Sequence, residues 1–144
     1  MKKCYLDSNI LVYWNNVLAP EHNSTVNLLA RLRDEDSHFF VSPLVLDEFL
    51  HAVLLRTRLN NKKDPYSLLK SALDDLLDLP GLEVINPPTD IDSQKKVIGF
   101  VRKYLLRPRD AYHLLIMIAN DINSFATNDN DFEKVFATKV LEKA

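Results

Sequence analysis

The chain has 144 residues, of which 47 % are hydrophobic and 26 % are charged, and its formal net charge is −2. These values are typical of one globular domain, and the charges form neither a basic arm nor an acidic tail that would indicate a partner. The single cysteine and the two glycines exclude a disulfide framework, a multi-cysteine zinc site and the glycine-rich loops that bind nucleotide phosphates.

Short apolar runs alternate with longer helical patterns along the chain. The predicted elements, in chain order, are a strand at 3–6, a helix at 24–33, a strand at 38–41, a helix from 43 to about 59, a helix from 65 to about 78, a strand at 82–85, a helix from a cap at 89 or 90 to about 104, a helix at 110–122, a strand at 124–127 and a weak fifth strand at 136–140. Ser42-Pro43 and Asp64-Pro65 mark two helix starts, because each pairs a capping residue with a proline. Such alternation predicts a parallel sheet of four or five strands covered by helices on both faces.

The longest uninterrupted apolar run, residues 114–119, is far too short to cross a membrane. The apolar stretch at the N-terminus ends at Asp7, which is too early for a signal peptide. We therefore expect one domain over residues 1–144, without a membrane contact and located in the cytoplasm.

Acidic residues gather where the predicted strands end. Asp7 follows the first strand, and Asp129 and Asp131 follow the fourth. Asp110 opens the helix that leads into the fourth strand, and Glu48 lies early in the helix after the second. Functional crevices of parallel sheets lie at the carboxyl ends of the strands, so we expect these acids to share one edge.

Glu48 is predicted to point into an apolar arc of its helix, whereas Asp47 is predicted to be solvated. The nearest neighbours of Glu48 on the helical wheel are Leu44, Ala52, Leu55 and Leu59. The helix that begins with Asp110 is apolar almost all round and is therefore predicted to be buried. A buried carboxylate needs a partner, a proton or a metal ion.

Carboxylates that are brought together repel one another, and a hard divalent cation such as Mg²⁺ or Mn²⁺ removes that cost. Such a centre hydrolyses phosphodiester bonds. A simpler interpretation stays open for each acid alone: Asp7 and the segment from Asp129 to Asp131 make turns, and Asp110 caps its helix.

Four blocks of this sequence, in order and at similar spacing, resemble the PIN-domain ribonucleases, and in particular the VapC-like toxins. The blocks are Tyr5-Leu6-Asp7-Ser8-Asn9, Ser42-Pro43 through Asp47-Glu48, Pro108-Arg109-Asp110-Ala111-Tyr112-His113, and Thr127-Asn128-Asp129-Asn130-Asp131-Phe132.

This resemblance implies a three-layer α/β/α sandwich, a bound Mg²⁺ or Mn²⁺ and a single-stranded RNA substrate. By motif position it implies a catalytic and metal-binding quartet, with Asp131 as a fifth acid and with Ser8 and Thr127 lining the site; the quartet is Asp7, Glu48, Asp110 and Asp129. An antitoxin protein and a second copy of the chain are the partners that the family suggests.

Two basic clusters are candidates for contacts to RNA phosphates: Arg56, Arg58, Lys62 and Lys63, and Arg102, Lys103, Arg107 and Arg109. Arg107 and Arg109 are the preferred contacts because they adjoin Asp110. Tyr104 and Tyr112 are candidates to stack on a base.

Alternative functions stay open at this point. The chain could be a housekeeping RNA-processing nuclease or a non-catalytic PIN-fold binding module. The pairs Glu48/His51 and Asp110/His113 are also spaced like the ligands of di-iron helical bundles. A dehalogenase-type phosphatase is disfavoured because Asn9 stands where it needs a second aspartate.

Overall fold

The computed structural model describes residues 1–60 and 64–144. Strands and helices alternate along these residues, with a single 3₁₀ turn at Asn130–Phe132 before the last helix. In chain order they are β1 (Lys2–Leu6), α1 (Ser8–Asn15), α2 (His22–Asp34), β2 (Ser37–Val41), α3 (Pro43–Leu59), α4 (Pro65–Leu77), β3 (Leu82–Val84), α5 (Ile91–Tyr104), α6 (Pro108–Ala119), β4 (Ser124–Ala126), α7 (Glu133–Ala137) and β5 (Glu142–Lys143).

In the described ranges the five strands form one sheet in the order β3-β2-β1-β4-β5, and every neighbouring pair is parallel. The predicted parallel sheet is therefore confirmed. Strand β1 is central, and its residues Cys4, Tyr5 and Leu6 are fully buried. Burial of consecutive residues is expected where helices cover both faces of a sheet.

The strand order also explains the layers. From β1 the chain steps to β2 and β3 in one direction, and it later steps from β4 to β5 in the other. Right-handed crossovers therefore put α1–α4 on one face and α5–α7 on the other. In agreement, α1 contacts α2 and α3, α3 contacts α4, and α5 contacts α6. The three-layer α/β/α sandwich is confirmed, and its topological switch point lies between β1 and β4.

Helix α6 is the most buried helix of the second layer, as its apolar sequence predicts. Its buried residues include Ala111, Leu114 and Met117, none of which exposes any surface. None of the helices in residues 1–60 and 64–144 has the length and apolar character needed to cross a membrane.

Three local predictions differ from the structure. Helix α1 was not predicted, because its eight residues follow β1 without a turn signal. The weak strand at 136–140 is wrong: Phe132, Val135 and Phe136 have helical spacing and pack on the core, and the strand follows as β5. Helix α6 ends at Ala119 instead of 122, because Asp121 takes a left-handed conformation with φ of 54°.

Candidate active site

The switch point brings the first and the fourth sequence block side by side. Leu6 and Ala126 are register partners at the ends of β1 and β4. The residues that follow them, Asp7 and Thr127, therefore meet at the carboxyl edge of the sheet. The Thr127 hydroxyl donates to Asp7 Oδ2 at 2.6 Å.

Asp7 is almost completely enclosed by hydrogen-bond donors. It is the N-cap residue of α1, and its Oδ1 accepts from the Ser8 backbone N–H at 2.7 Å. Its Oδ2 accepts from the Asn9 side-chain amide at 3.2 Å as well as from Thr127. Asp7 therefore caps α1 through the next N–H and does not form the Asx turn considered from the sequence, and the same side chain faces Thr127 at the sheet edge.

Asp110, Asp129 and Asp131 form a second group of acids, which we call the acidic trio. One carboxylate oxygen of each lies within 4.8 Å of those of the other two. Asp129 is held by its backbone N–H, which donates to Thr127 Oγ1 at 3.0 Å, and its Oδ1 accepts from the Asp131 N–H at 2.9 Å. Asp110 lies in the first turn of α6, where Arg107 and not Asp110 is the N-cap residue.

The trio carries more negative charge than its surroundings neutralise. Burial, followed by the charge of Asp129, raises the pKa of Asp110 to about 6. Burial also raises the pKa of Asp7, although the hydrogen bond from Thr127 opposes this effect. The charge of Asp7 contributes to the raised pKa of Asp110, so the two groups of acids share one electrostatic environment.

Glu48 reaches the same region from α3, but a hydrogen bond from inside the core holds it. His113 Nε2 lies 2.6 Å from Glu48 Oε1, and Arg109 Nη1 lies 3.9 Å from Glu48 Oε2. We call Glu48 and Asp7 the bonded pair, because each of them accepts hydrogen bonds from other residues of the protein. Among the described residues, the trio is the group that could share one ion, and the bonded pair lies outside it.

The predicted surroundings of Glu48 are partly wrong. Leu55 and Leu59 are 51 % and 74 % exposed, so the C-terminal half of the proposed apolar arc faces outward. Asp47 is exposed, as predicted. The side of α3 that packs on the core is instead one residue further along the helix, at Val45, Phe49, Val53 and Thr57.

A polar cleft of about 330 Å³ lies at Glu48 and is lined by Ser8, Asp47, Glu48, His51 and Arg109, so Ser8 and Arg109 bring it next to Asp7 and Asp110 in the sequence. A second cavity, of about 380 Å³, shares Arg109 with this cleft but has mainly apolar walls. Its other lining residues are Leu44, Pro87, Pro88, Gln94, Tyr112 and Ile116. Arg109 therefore borders both a polar space that suits a charged group and an apolar space that suits a flat ring.

The basic clusters and the candidate stacking residues are placed unequally. Arg102, Lys103, Arg107 and Arg109 are all exposed. Arg56 instead donates to Asn15 at 2.7 Å, and Lys62 and Lys63 lie outside the described residues. Tyr104 is only 4 % exposed and cannot stack on a base, which corrects that prediction. Tyr112 is partly exposed and borders the apolar cavity.

Two residues at the site, Asn9 and His113, make contacts that the sequence did not specify, although His113 was considered as a core or supporting group and as a di-iron ligand. Asn9 donates to Asp7 and accepts from the Asn128 N–H at 3.2 Å, so it ties the first block to the fourth. His113 uses both ring nitrogens, one toward Glu48 and one toward the Tyr5 hydroxyl at 3.0 Å. Both residues lie within the four sequence blocks, and this was the feature of the sequence that indicated a place at the site.

The di-iron alternative is not compatible with this structure. A central parallel sheet replaces the helical bundle that such sites need. Both ring nitrogens of His113 have hydrogen-bond partners, and His51 is exposed at the edge of the cleft.

The PIN domain family matches residues 4–136 of this sequence. The chain therefore belongs to the PIN domain family, which confirms the resemblance carried by the four sequence blocks.

Several known proteins are similar over nearly the whole chain. Ribonuclease VapC2 of Methanocaldococcus jannaschii is 26 % identical over 148 residues, which cover 97 % of this chain and 93 % of that protein. VapBC2 from Rickettsia felis, solved bound to a DNA fragment from its promoter, superimposes with a TM-score of 0.67 at 22 % identity, covering 99 % of this chain and 97 % of that chain. VapC20 of Mycobacterium tuberculosis, a sarcin-ricin loop cleaving toxin, gives a TM-score of 0.62 at 15 % identity, covering 92 % and 94 %. The two solved structures share the fold at this low identity.

Proposed function

We propose that this protein is a metal-dependent ribonuclease that hydrolyses phosphodiester bonds within single-stranded RNA. The observation that carries the proposal is the acidic trio, in which one carboxylate oxygen of each member lies within 4.8 Å of those of the other two. Membership of the PIN domain family and similarity to a protein named as a ribonuclease support it. We treat residues 1–144 as one nuclease domain.

The donor set fits a hard divalent cation. All candidate ligands are carboxylate oxygens, which Mg²⁺ and Mn²⁺ prefer. The pKa of Asp110, raised to about 6 by burial and by Asp129, indicates that the trio needs positive charge. The trio would hold the ion, with Asp7 and Glu48 at its border. When bound, such an ion lowers the pKa of a water molecule and stabilises the negative oxygens of a phosphate during hydrolysis.

The protein's own side chains orient the site and the substrate. Thr127 and Asn9 hold Asp7, and Thr127 also holds the backbone of Asp129. Arg109 is 59 % exposed beside the cleft, where its guanidinium can bind a phosphate of the RNA backbone. Arg107 is exposed two residues earlier and extends this basic edge. We assign both as RNA contacts.

The apolar cavity next to Arg109 gives a base of the RNA a place beside the cleft. Tyr112 is its aromatic wall, and the Tyr112 hydroxyl donates to Gln94 Oε1 at 3.0 Å, which fixes the ring. Gln94 in turn donates to the Pro88 carbonyl at 2.9 Å. Single-stranded RNA is commonly recognised by stacking its unpaired bases on such aromatic side chains.

We also propose that the protein is the toxin of a toxin–antitoxin pair, with an antitoxin protein as partner, a homodimer as its assembly and the cytoplasm, where RNA is present, as its location. The similar structures of VapBC2 and of the toxin VapC20 support this. A housekeeping nuclease has the same chemistry, so the two are separated by expression in cells. A toxin arrests growth and a co-expressed antitoxin relieves the arrest, whereas a processing enzyme does neither.

The test of the nuclease proposal is hydrolysis of an end-labelled single-stranded RNA by the purified full chain, with Mg²⁺, with Mn²⁺ and with excess chelator. Cleavage should need the metal, and Asp110→Asn should lower the rate about 100-fold or more, because misaligned reacting groups lose at least that much. Asp47→Asn is the matched control, since Asp47 lines the cleft but is exposed and lies outside the trio. Cleavage that survives the chelator, or full activity of Asp110→Asn, contradicts the proposal.

A further inference from the structure

A chain of hydrogen bonds runs from the buried core to Glu48. His113 Nε2 lies 2.6 Å from Glu48 Oε1, and His113 Nδ1 lies 3.0 Å from the Tyr5 hydroxyl. The Tyr5 hydroxyl lies 2.7 Å from Ser42 Oγ. Tyr5 and Ser42 are completely buried and His113 is 2 % exposed, so water does not compete for these bonds.

Each of these three side chains lies within a few residues of one of the acids in the sequence. Tyr5 is in β1, two residues before Asp7, and His113 is in α6, three residues after Asp110. Ser42 directly precedes α3, the helix of Glu48. The chain of bonds therefore joins three of the four sequence blocks behind the cleft.

The direction of these bonds follows from which atoms can donate. The Glu48 carboxylate accepts, so Nε2 of His113 carries a hydrogen. In the neutral ring Nδ1 then accepts, and it does so from the Tyr5 hydroxyl. With this tautomer the Tyr5 oxygen accepts from Ser42, and the hydrogens of the three bonds point toward Glu48.

Ser42 shows that this arrangement outweighs a local preference. Its position before Pro43 predicts that its hydroxyl caps α3. Ser42 does occupy the N-cap position, but its side chain makes no capping bond. The hydroxyl is turned to Tyr5 instead. Such a cap stabilises helices in other proteins, so the bond to Tyr5 replaces a stabilising contact.

The consequence is an unequal use of the two carboxylate oxygens of Glu48. Oε1 is held by His113 from inside the protein, whereas Oε2 lies 3.9 Å from the Arg109 guanidinium on the cleft side. One oxygen anchors the side chain in a single orientation. The other is available at the cleft.

We propose that His113, Tyr5 and Ser42 are positioning residues that fix Glu48, so that its Oε2 stands at the border of the cation site and its charge supports the ion that the trio holds. This rests on the proposed function only in that the cleft binds a divalent cation. Groups that orient the ligands of a metal ion typically change its affinity about 10–100-fold when they are removed. If the chain of bonds merely satisfied buried polar groups, its loss would change stability and leave the cation affinity unchanged.

The first measurement is the affinity of the full chain for Mn²⁺ alone, followed by electron paramagnetic resonance in the absence of RNA. His113→Phe removes both bonds and should weaken Mn²⁺ binding about 10-fold or more. His113→Gln keeps an N–H donor near the place of Nε2 and should restore most of the affinity. Thr57→Val is the matched control, because Thr57 is a buried hydroxyl that bonds to the Leu54 carbonyl within α3, away from this chain of bonds.

Tyr5→Phe removes one oxygen atom and is the variant that carries the test if His113→Phe does not fold. It should weaken Mn²⁺ binding by a smaller factor, about 3-fold or more, below the range for a group that bonds the ligand directly. In the double variant with His113→Phe, it should add nothing, because both changes interrupt the same chain of bonds. Tyr5→Phe and His113→Phe that bind Mn²⁺ as tightly as wild type would overturn the proposal, and so would independent, multiplying effects of the two positions.

Nuclear magnetic resonance of the imidazole nitrogens gives a readout that needs neither metal nor activity. The proposal requires a hydrogen on Nε2 of His113, and a ring protonated at Nδ1 alone overturns it. The two proposals fail separately. A wild-type chain that binds no Mn²⁺ overturns the nuclease proposal together with this one. If wild type binds Mn²⁺ and the variants bind it with the same affinity, only the positioning role is overturned.

Discussion

The two groups of acids at the cleft hold their negative charge in different ways. Both oxygens of Asp7 accept from donors of the protein, and Glu48 accepts from His113. In the acidic trio, by contrast, the hydrogen bonds of the described residues give no donor to the carboxylates of Asp110 and Asp131. The carboxylates of the bonded pair accept hydrogen bonds within the fold, whereas Asp110 and Asp131 repel each other without such donors.

This difference explains how a small domain can hold several carboxylates close together and still remain folded. Asp7 and Glu48 lie against the core, where an unpaired carboxylate would be costly. Asp131 is exposed and Asp129 partly so, and water screens their repulsion. Asp110 lies between the two situations, which is why its pKa is raised to about 6 by burial and by Asp129.

The largest expected effect distinguishes members of the trio by their anchoring. Asp129→Asn should lower the rate of RNA cleavage about 100-fold or more, since Asp129 is held toward the site by Thr127. Asp131→Asn should cost about 10-fold or less, the lower end of the effects of groups around a metal site, because Asp131 is exposed. Initial rates at saturating Mg²⁺ measure both. The opposite order would mean that Asp131, and not Asp129, is the main ligand from the fourth sequence block.

A second effect concerns Arg107 and Arg109, which stand at the start of α6 next to Asp110, and of which Arg109 lies 3.9 Å from Glu48 Oε2. Replacing Arg107 and Arg109 by alanine should weaken RNA binding and lower the slope of log K against log salt by about 1.4, since each phosphate contact to a single strand contributes about 0.7. Binding is measured on the Asp110→Asn background with chelator present. Arg31→Ala with Arg33→Ala is the control, because these arginines end α2 at the opposite edge of the sheet. An unchanged slope would place the RNA elsewhere.

Stability without metal should respond with opposite signs in the two groups. Asp7→Ala removes the cap of α1 and leaves the buried Thr127 hydroxyl without its acceptor, which should cost about 1–2 kcal/mol of unfolding free energy. Asp110→Ala removes a repelled charge that makes no cap bond, and it should leave stability unchanged or raise it. Urea unfolding at neutral pH with chelator measures both. Equal destabilisation would mean that the two groups are held alike.

The smallest effect is a pH dependence that isolates Asp110. Its raised pKa means that the folded protein binds this proton more tightly than the unfolded chain does, so ionisation of Asp110 destabilises the metal-free fold as pH rises from about 4 to about 6. Asp110→Asn should match wild type near pH 4 and become more stable above about pH 6, by about 1–2 kcal/mol after allowance for solvent screening. Thermal unfolding across this range, with chelator, provides the measurement. A difference that is constant with pH would contradict the assigned pKa.

The framework of this protein could be predicted from local sequence patterns. Alternating strand and helix patterns, with prolines at helix starts, led to the parallel sheet because those signals come from neighbouring residues. Asp7 and Asp129 could be assigned to one edge, since Asp7 directly follows a strand, Asp129 comes shortly after another, and parallel strands end together. Local patterns failed at α1 and at residues 136–140, where short segments took their structure from packing on the core.

The separation of the acids into the bonded pair and the trio, and the hydrogen bonds that hold them, depend on long-range packing. The bond between Asp7 and Thr127 joins residues 120 positions apart, and that between Glu48 and His113 joins residues 65 positions apart. Neither follows from periodicity, because each depends on how α3, α6, β1 and β4 pack. The same reason separates Tyr112, beside the apolar cavity, from the buried Tyr104. A carboxylate in a sequence is simply an acid, and its donors, burial and neighbouring charges exist only once the chain has folded.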